Sequence, residues 1–245
     1  AATWLRGVDW IAVPTSLAGM VDASVGGKTG INSDYGKNLI GAFHSPIAVI
    51  IDTAFLKTLS DRDFSAGMAE VIKCGFIADR KILDVAIAHT VDSVRRNPDV
   101  ISELIHRAVM VKAQVVSSDF KESFAREVLN YGHTLGHAIE IHAKYQLRHG
   151  EAVAIGLVYA AELAAARGLI TATELDLHRT ILVAYKLPIT FDRQAWQKLA
   201  PLLALDKKAR GNTIRFVALN GIGSTIRLED LTSTELDAAY ERISL

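Results

Sequence analysis

The chain has 245 residues, 50% of them hydrophobic, and its 27 basic residues balance 27 acidic ones to a formal net charge of zero. Such a length can bury a large core in one big domain or two small ones, and the charge balance argues against a dedicated nucleic-acid-binding protein. Cys74 is the only cysteine, so an intramolecular disulfide is excluded and a reducing, cytoplasmic setting is expected. The longest apolar run, residues 153–161, is too short to span a bilayer, and we expect no membrane partner.

Two short apolar runs near the N-terminus, residues 8–13 and 48–52, predict buried strands of a parallel α/β sheet. Thr15 and Ser16 directly follow the first run, where α/β folds place ligand-binding loops. Two strands are too few for a complete nucleotide-binding fold. The sequence therefore predicts part of an α/β domain over residues 1–59.

A glycine-rich segment, residues 26–30 (GGKTG), lies between these strands. It resembles the phosphate loop of nucleotide hydrolases, but that motif needs a glycine where this chain has Asp22. We therefore predict a β-turn at this segment. Lys28 and Lys37 still make anion binding there plausible.

Helical patterns dominate residues 60–245. Ser60 and Asp63 predict the start of a helix that runs to about Ile77. Glu70 and Lys73 share one face of that helix among apolar neighbours, so this pair is expected to be partly buried, where charges need a partner or a metal.

The remaining elements follow from apolar periodicity, capping residues and turn signals. Lys112 lies beside the apolar stripe of its helix and is expected to be an exposed lysine. The predicted helices and the two strands of a single β-hairpin cover residues 81–96, 100–116, 150–167, 171–187, 196–205 and a last segment from 232, with strands at 213–219 and 224–228.

The most informative stretch is residues 126–140 (REVLNYGHTLGHAIE). If it is helical, His133 and His137 lie one turn apart on one face, and Asn130 and Arg126 continue that face. A histidine pair at this spacing is also typical of a hydrogen-bonded surface pair. Adding His149 and the carboxylate of Glu70 would complete a set of ligands for a divalent metal, zinc first, although the sequence alone does not bring them together.

Five segments in order resemble the 3-dehydroquinate synthase family of sugar-phosphate cyclases: residues 22–32, 36–43, 69–73, 129–138 and 149–151. The family has an N-terminal nucleotide-binding half with a Gly-Gly-Gly loop, and the chain lacks much of that half. The resemblance implies an α/β remnant of an NAD-binding domain at 1–59, followed by a mostly α-helical metal- and substrate-binding domain at 60–245 with one β-hairpin.

The resemblance also implies residue roles. Zn²⁺ or Co²⁺ would be held by Glu70, His133 and His149, so that His137 becomes an acid/base and anion contact instead of a ligand. NAD would contact Thr15, Ser16, Asp22, Lys28, Lys37, Phe55, Leu56, Lys57 and Thr58, where Ser16 replaces the usual threonine. The substrate pocket would be formed by Lys28, Asn38, Lys73, Lys112, Arg126, Asn130 and His137, together with Lys207 or Lys208. A residue matching Arg6 reaches the active site across a homodimer.

The function so implied is the conversion of 3-deoxy-D-arabino-heptulosonate 7-phosphate, a sugar-acid phosphate, to 3-dehydroquinate and phosphate in the shikimate pathway. A cationic pocket would explain how a neutral protein binds a polyanion. Two alternatives remain open. The chain could be a sister cyclase of the amino-dehydroquinate or valiolone type, or a non-catalytic metal-binding domain that needs a separate nucleotide-binding part.

Overall fold

The computed structural model describes residues 1–33, 36–120, 125–209 and 214–245; the side chains of 32–33, 36–38, 125 and 204–209 lie outside that description. The N-terminal part is built on two short parallel strands, β1 (Ile11–Ala12) and β4 (Ala48–Val49), with Ile11 opposite Ala48. Between them lie a π-helical turn at Gly19–Ala23 and an antiparallel pair, β2 (Lys28–Ser33) and β3 (Gly36–Phe43). Two 3-10 turns, Trp4–Arg6 and Thr53–Lys57, flank this part.

This part departs from the prediction in two ways. Residues 28–30 of the segment predicted as a β-turn belong to strand β2, so the described chain has two antiparallel strand pairs and not one. The strands β1 and β4 pair only with each other among the described residues, and the side chains of Ile11 and Ile50 are about half exposed where burial was expected.

The rest of the chain is mostly helical and ends with a second antiparallel strand pair and a last helix. Its elements are α1 (Asp61–Ile77), α2 (Arg80–Ala88), α3 (Val91–Arg96), α4 (Pro98–Ser118), a 3-10 segment (Ala125–Asn130), α5 (His133–His142), α6 (His149–Ala166), α7 (Ala172–Ala184), a 3-10 turn (Arg193–Ala195), α8 (Trp196–Ala209), β5 (Phe216–Leu219), β6 (Thr225–Leu228) and α9 (Ser233–Glu241). None of the helices in the described part of the chain is both long and apolar enough to cross a membrane.

The helix starts were predicted well where a side chain caps them. Ser60, Thr171 and Thr232 each accept a hydrogen bond from the backbone N–H three residues on, as the N-cap residues of α1, α7 and α9. The single helix predicted over residues 81–96 was wrong, because Thr90 caps a new helix, α3, and His89 is extended.

Helix α6 is the centre of the core. It is apolar on all sides and buried along nearly its whole length, as such a helix must be. Glycines let its neighbours approach closely: a Cβ atom at Gly150 would lie 1.8 Å from the carbonyl oxygen of Ala66 in α1, and one at Gly156 would lie 1.9 Å from that of Gly132. The N-terminus of α6 is thereby held against α1 and against the start of α5.

Two ion pairs hold the same junction from outside. Arg62 of α1 donates to both carboxylate oxygens of Glu151, at 2.6 and 2.7 Å, and Arg148 lies 2.7 Å from Asp63. These arginines are about half exposed, so each pair adds little stability. The bidentate geometry of the Arg62–Glu151 pair nevertheless fixes the register of α6 on α1.

Candidate metal centre

A buried carboxylate on α1 is the first component of the site. Glu70 lies in the middle of the helix and is 1% exposed. Lys73, one turn further on, places its Nζ atom 2.5 Å from Glu70 Oε2. Neither oxygen of Glu70 has a well-aligned hydrogen-bond partner in the described structure, which leaves the carboxylate suited to a further cation.

The second component is His133, the first residue of α5. Gly132 before it has φ of +78°, a left-handed conformation that turns the chain sharply into the helix. The Nδ1 atom of His133 lies 3.0 Å from the carbonyl oxygen of Tyr131, to which it must donate. Its Nε2 atom therefore keeps a lone pair, and it lies 3.5 Å from Glu70 Oε1.

His149, the first residue of α6, is the third component. Its Nε2 atom lies 3.3 Å from Glu70 Oε1, and its Nδ1 atom lies 3.2 Å from Oε1 of the buried Glu140. A carboxylate behind a ligating histidine is the usual way to fix its orientation. Glu140 was not predicted as a site residue, although it follows His133 by two helical turns on the same face.

The geometry fits a divalent metal. Ligand atoms of Glu70, His133 and His149 all lie within 4.8 Å of one another, and two imidazoles with one carboxylate are a zinc ligand set that leaves a position open. His137, Glu140 and His149 form a second combination within the same limit. Because both combinations share His149, whose Nε2 atom faces Glu70, we assign the metal to the first and the orienting role to Glu140.

The charges support this assignment. Burial raises the pKa of Glu70, but the ammonium of Lys73 and the imidazoles of His133 and His149 outweigh it, and the pKa lies well below its usual value. Burial and the nearby Lys73 lower the pKa of His133 to about 3, which keeps it neutral. Burial opposes the charging of His149, yet Glu140 and Glu70 raise its pKa to about 9, so a metal would displace a proton there.

A cavity of about 750 Å³ opens over these residues. It brings together most of the predicted substrate contacts in its lining: Lys28, Lys73, Lys112, Arg126, Asn130 and His137. Arg215, at the start of the second hairpin, also lines the cavity and was not predicted. The side chains of Asn38, Lys207 and Lys208 lie outside those that the structure describes.

The surroundings of two predicted contacts differ from expectation. Lys112 is buried and not exposed, because its Nζ atom lies 2.5 Å from Asp22 Oδ1 and so joins α4 to the N-terminal part. Arg126 and Asn130 lie in a 3-10 segment and not on a continuous helix with His133. Arg126 is buried, and its Nη1 atom donates to the carbonyl oxygen of Phe120 at 2.9 Å.

The predicted NAD contacts fall into two groups. Asp22 and Lys28 line the cavity. The others are not in its described lining: Thr15 and Ser16 follow β1, and Phe55, Leu56, Lys57 and Thr58 lie in and just after the 3-10 turn that follows β4. The carboxyl ends of neighbouring parallel strands are where α/β folds bind nucleotides. Leu56 is in the core and offers its backbone alone, while the side chain of Lys37 is not described.

The described fold with this site is similar to solved sugar-phosphate cyclases. A 2-epi-5-epi-valiolone synthase from Streptomyces hygroscopicus subsp. jinggangensis 5008, solved with NAD⁺ and Zn²⁺ bound, superposes with a TM-score of 0.92 at 30% identity, over 99% of this chain and 68% of that one. A 2-deoxy-scyllo-inosose synthase in complex with carbaglucose-6-phosphate, NAD⁺ and Co²⁺ gives a TM-score of 0.86 at 26% identity, over 99% of this chain and 69% of that one.

Sequence comparison defines the family. The family model for the 3-dehydroquinate synthase N-terminal region matches residues 1–66, and that for the C-terminal region matches residues 67–209. A 3-dehydroquinate synthase from Paenarthrobacter aurescens (strain TC1) is 54% identical over the whole of this chain, which covers 67% of that relative. The chain belongs to the 3-dehydroquinate synthase family.

Proposed function

We propose that this chain carries the metal and substrate site of a 3-dehydroquinate synthase, which converts 3-deoxy-D-arabino-heptulosonate 7-phosphate to 3-dehydroquinate and phosphate with NAD as cofactor. The observation that supports it most is the convergence of Glu70, His133 and His149 beneath a cavity lined by cations. The family relationship supplies the reaction, and the cavity supplies the charge that a carboxylate and a phosphate require.

The metal, Zn²⁺ or Co²⁺, would be held by Glu70 and by the Nε2 atoms of His133 and His149. When bound it supplies Lewis acidity to substrate hydroxyls, while NAD supplies reversible hydride transfer. Lys73 keeps Glu70 ionised, and Glu140 holds the ring of His149. The protein residues thus fix the position and the charge of the ligands before substrate arrives.

The remaining polar residues of the cavity would bind and orient the substrate. Lys28, Lys112 and Arg126 attract its anionic groups, and Asn130 donates to a hydroxyl or a carboxylate oxygen. His137 lines the cavity and is exposed, with its ring centroid 5.3 Å from that of His133. We assign it proton transfer at the substrate, since the metal set is complete without it.

We extend the proposal to the organisation of the chain. Residues 1–59 would contribute NAD contacts, including Thr15, Ser16 and the segment from Phe55 to Thr58, together with Lys37 and Asn38. Residues 60–245 would hold the metal and the substrate, with Lys207 or Lys208 joining the pocket. We expect a homodimer in the cytoplasm.

A sister cyclase activity is the second candidate, because the superposing structures are a valiolone and an inosose synthase. Carbaglucose-6-phosphate, the molecule in the inosose synthase complex, carries a phosphate and no carboxylate, whereas 3-deoxy-D-arabino-heptulosonate 7-phosphate carries both. We prefer the dehydroquinate reaction because the curated relatives that are more than 50% identical to this chain are 3-dehydroquinate synthases, while the valiolone synthase is 30% identical.

The test is phosphate release from 3-deoxy-D-arabino-heptulosonate 7-phosphate by this chain with NAD⁺ and Co²⁺, with the product identified by mass spectrometry. We expect phosphate and 3-dehydroquinate in equal amounts, and much less of either from His137→Ala, which should still bind metal. A different cyclic product from a carboxylate-free sugar phosphate would instead establish the sister activity. Metal bound in full without any turnover would favour a domain that requires a separate nucleotide-binding part.

A further inference from the structure

His178 is a buried histidine outside the cavity. It lies on α7, a helix that contributes no residue to the described lining, and it is fully buried. Its ring stacks on Phe76 of α1, with centroids 3.6 Å apart and an angle of 6° between the planes. Nothing in the proposed chemistry uses this residue, so the reason for burying a polar ring must lie in its contacts.

The hydrogen bonds of His178 have a defined direction. Its Nδ1 atom lies 2.7 Å from the backbone carbonyl oxygen of Glu174, which can only accept, so Nδ1 carries the proton. Its Nε2 atom must then accept, and the hydroxyl of Tyr131 donates to it at 2.8 Å. Tyr131 is also fully buried, so water cannot replace this partner.

The same tyrosine contacts the metal centre with its backbone. The carbonyl oxygen of Tyr131 accepts the proton of His133 Nδ1 at 3.0 Å. Gly132, between the two, is wedged against α6, where a side chain at Gly156 would collide with its carbonyl. Tyr131 is therefore held at its ring by His178, and it holds His133 with its backbone.

We propose that His178 and the hydroxyl of Tyr131 are positioning groups for the metal ligand His133. They fix the backbone of Tyr131, and through it the tautomer and the ring direction that present the Nε2 lone pair to the metal. An apolar pair of similar size would be less costly to bury, so what the hydrogen bond adds is orientation. This inference rests on the proposed metal-binding role of His133.

The experiment measures Co²⁺ affinity by competition with a chromophoric chelator, and the visible absorption spectrum of the bound Co²⁺, on the full chain. Tyr131→Phe removes one hydroxyl and keeps the ring. Tyr185→Phe is the matched control, because it removes another buried tyrosine hydroxyl near the end of α7, bonded to the carbonyl of Ala86 at 3.2 Å. His178→Gln keeps an acceptor for Tyr131, and His178→Leu does not.

Loss of a direct partner of a metal ligand weakens affinity by roughly 10- to 100-fold, so for this more remote group we expect about tenfold. Tyr131→Phe and His178→Leu should show that loss with a shifted Co²⁺ spectrum, His178→Gln a smaller loss, and Tyr185→Phe none. Equal affinities for Tyr131→Phe and Tyr185→Phe would overturn the inference. Glu70→Gln tests the proposed metal site separately. If it kept full Co²⁺ affinity, the assignment of Glu70 as a metal ligand would be wrong, whatever the result for Tyr131 and His178.

Discussion

Lys73 is the cation nearest to Glu70 when no metal is bound. Its ammonium lies 2.5 Å from Glu70, and both side chains are 2% exposed. Removing Lys73 leaves the buried charge of Glu70 with the partly exposed imidazolium of His149, 3.3 Å away, as its remaining cation, and a poorly compensated buried charge is costly. The consequence is a test in which stability, and not activity, is measured.

Lys73→Met should destabilise the metal-free protein by about 3 kcal/mol at neutral pH, measured by urea unfolding. The loss should shrink as pH falls, since without the ammonium burial raises the pKa of Glu70 and allows it to become neutral. The control is Lys186→Met, because Lys186 and Asp92 form an exposed pair at 3.5 Å. An equal, small effect of both substitutions would show that Lys73 does not compensate Glu70.

The pKa of a single buried residue, His178, gives a second prediction. Burial lowers its pKa to about 4, from an ordinary value of 6.5. Between these values the unfolded chain binds the extra proton and the folded protein does not, so stability rises with pH across this window. The contribution is fully present above about pH 6.5 and is lost as pH falls to about 4, by at most about 3 kcal/mol.

The measurement compares urea unfolding of the unsubstituted chain with that of His178→Phe from pH 4 to pH 7, with metal removed from both proteins. The substituted protein should lose less stability toward low pH, because its residue 178 does not titrate. Parallel stability curves for the two proteins would contradict the assigned pKa.

At the scale of elements, the junction of α1, α5 and α6 determines the distances between the ligands. Glu70 lies within α1, while His133 and His149 are the first residues of α5 and α6. Two histidines at helix starts can approach one carboxylate only if the helix ends are packed closely. Gly150 and Gly156 are the positions where that packing leaves no room for a side chain.

Gly150→Ala should therefore separate α6 from α1. Its Cβ atom would meet the backbone of Ala66, which cannot move aside as a side chain could, and we expect a loss of about 2 kcal/mol in stability with weaker Co²⁺ binding. Gly136→Ala is the comparison. Its Cβ atom would lie 3.2 Å from the carbonyl oxygen of Ala152, a mild contact. The gain in helix propensity from glycine to alanine, about 1 kcal/mol, offsets the strain of that contact, so we expect little change in stability. Thermal unfolding and Co²⁺ titration measure both effects, and the idea fails if the two variants behave alike.

Elements with local signals could be predicted from the sequence, and elements defined by distant contacts could not. The capping residues Ser60, Thr171 and Thr232 identified their helix starts, because a cap is made within four residues. The pair β2–β3 was missed, since its many glycines and polar residues show no strand alternation. The sequence left open whether residues 126–140 form one helix; the 3-10 segment ends at Asn130, and the left-handed Gly132 separates it from α5.

At the scale of the whole molecule, the site draws on segments far apart in the chain. Asp22 reaches Lys112 of α4, and Glu70 reaches His133 and His149. Motif resemblance could identify these residues by family, whereas periodicity suggested only a local pair of His133 with His137. Glu140 was missed because its partner His149 lies on another helix, and Arg215 because a single arginine in a predicted strand gives no signal beyond its charge.

The central claim is that Glu70, His133 and His149 together hold one metal ion per chain, and metal content after dialysis against Zn²⁺ tests it most directly. The account predicts about one zinc per chain for the unsubstituted protein and for His137→Ala, and almost none for Glu70→Ala. Zinc retained by Glu70→Ala but lost from His137→Ala would contradict it, because the metal would then be bound by His133 and His137 as a helical pair.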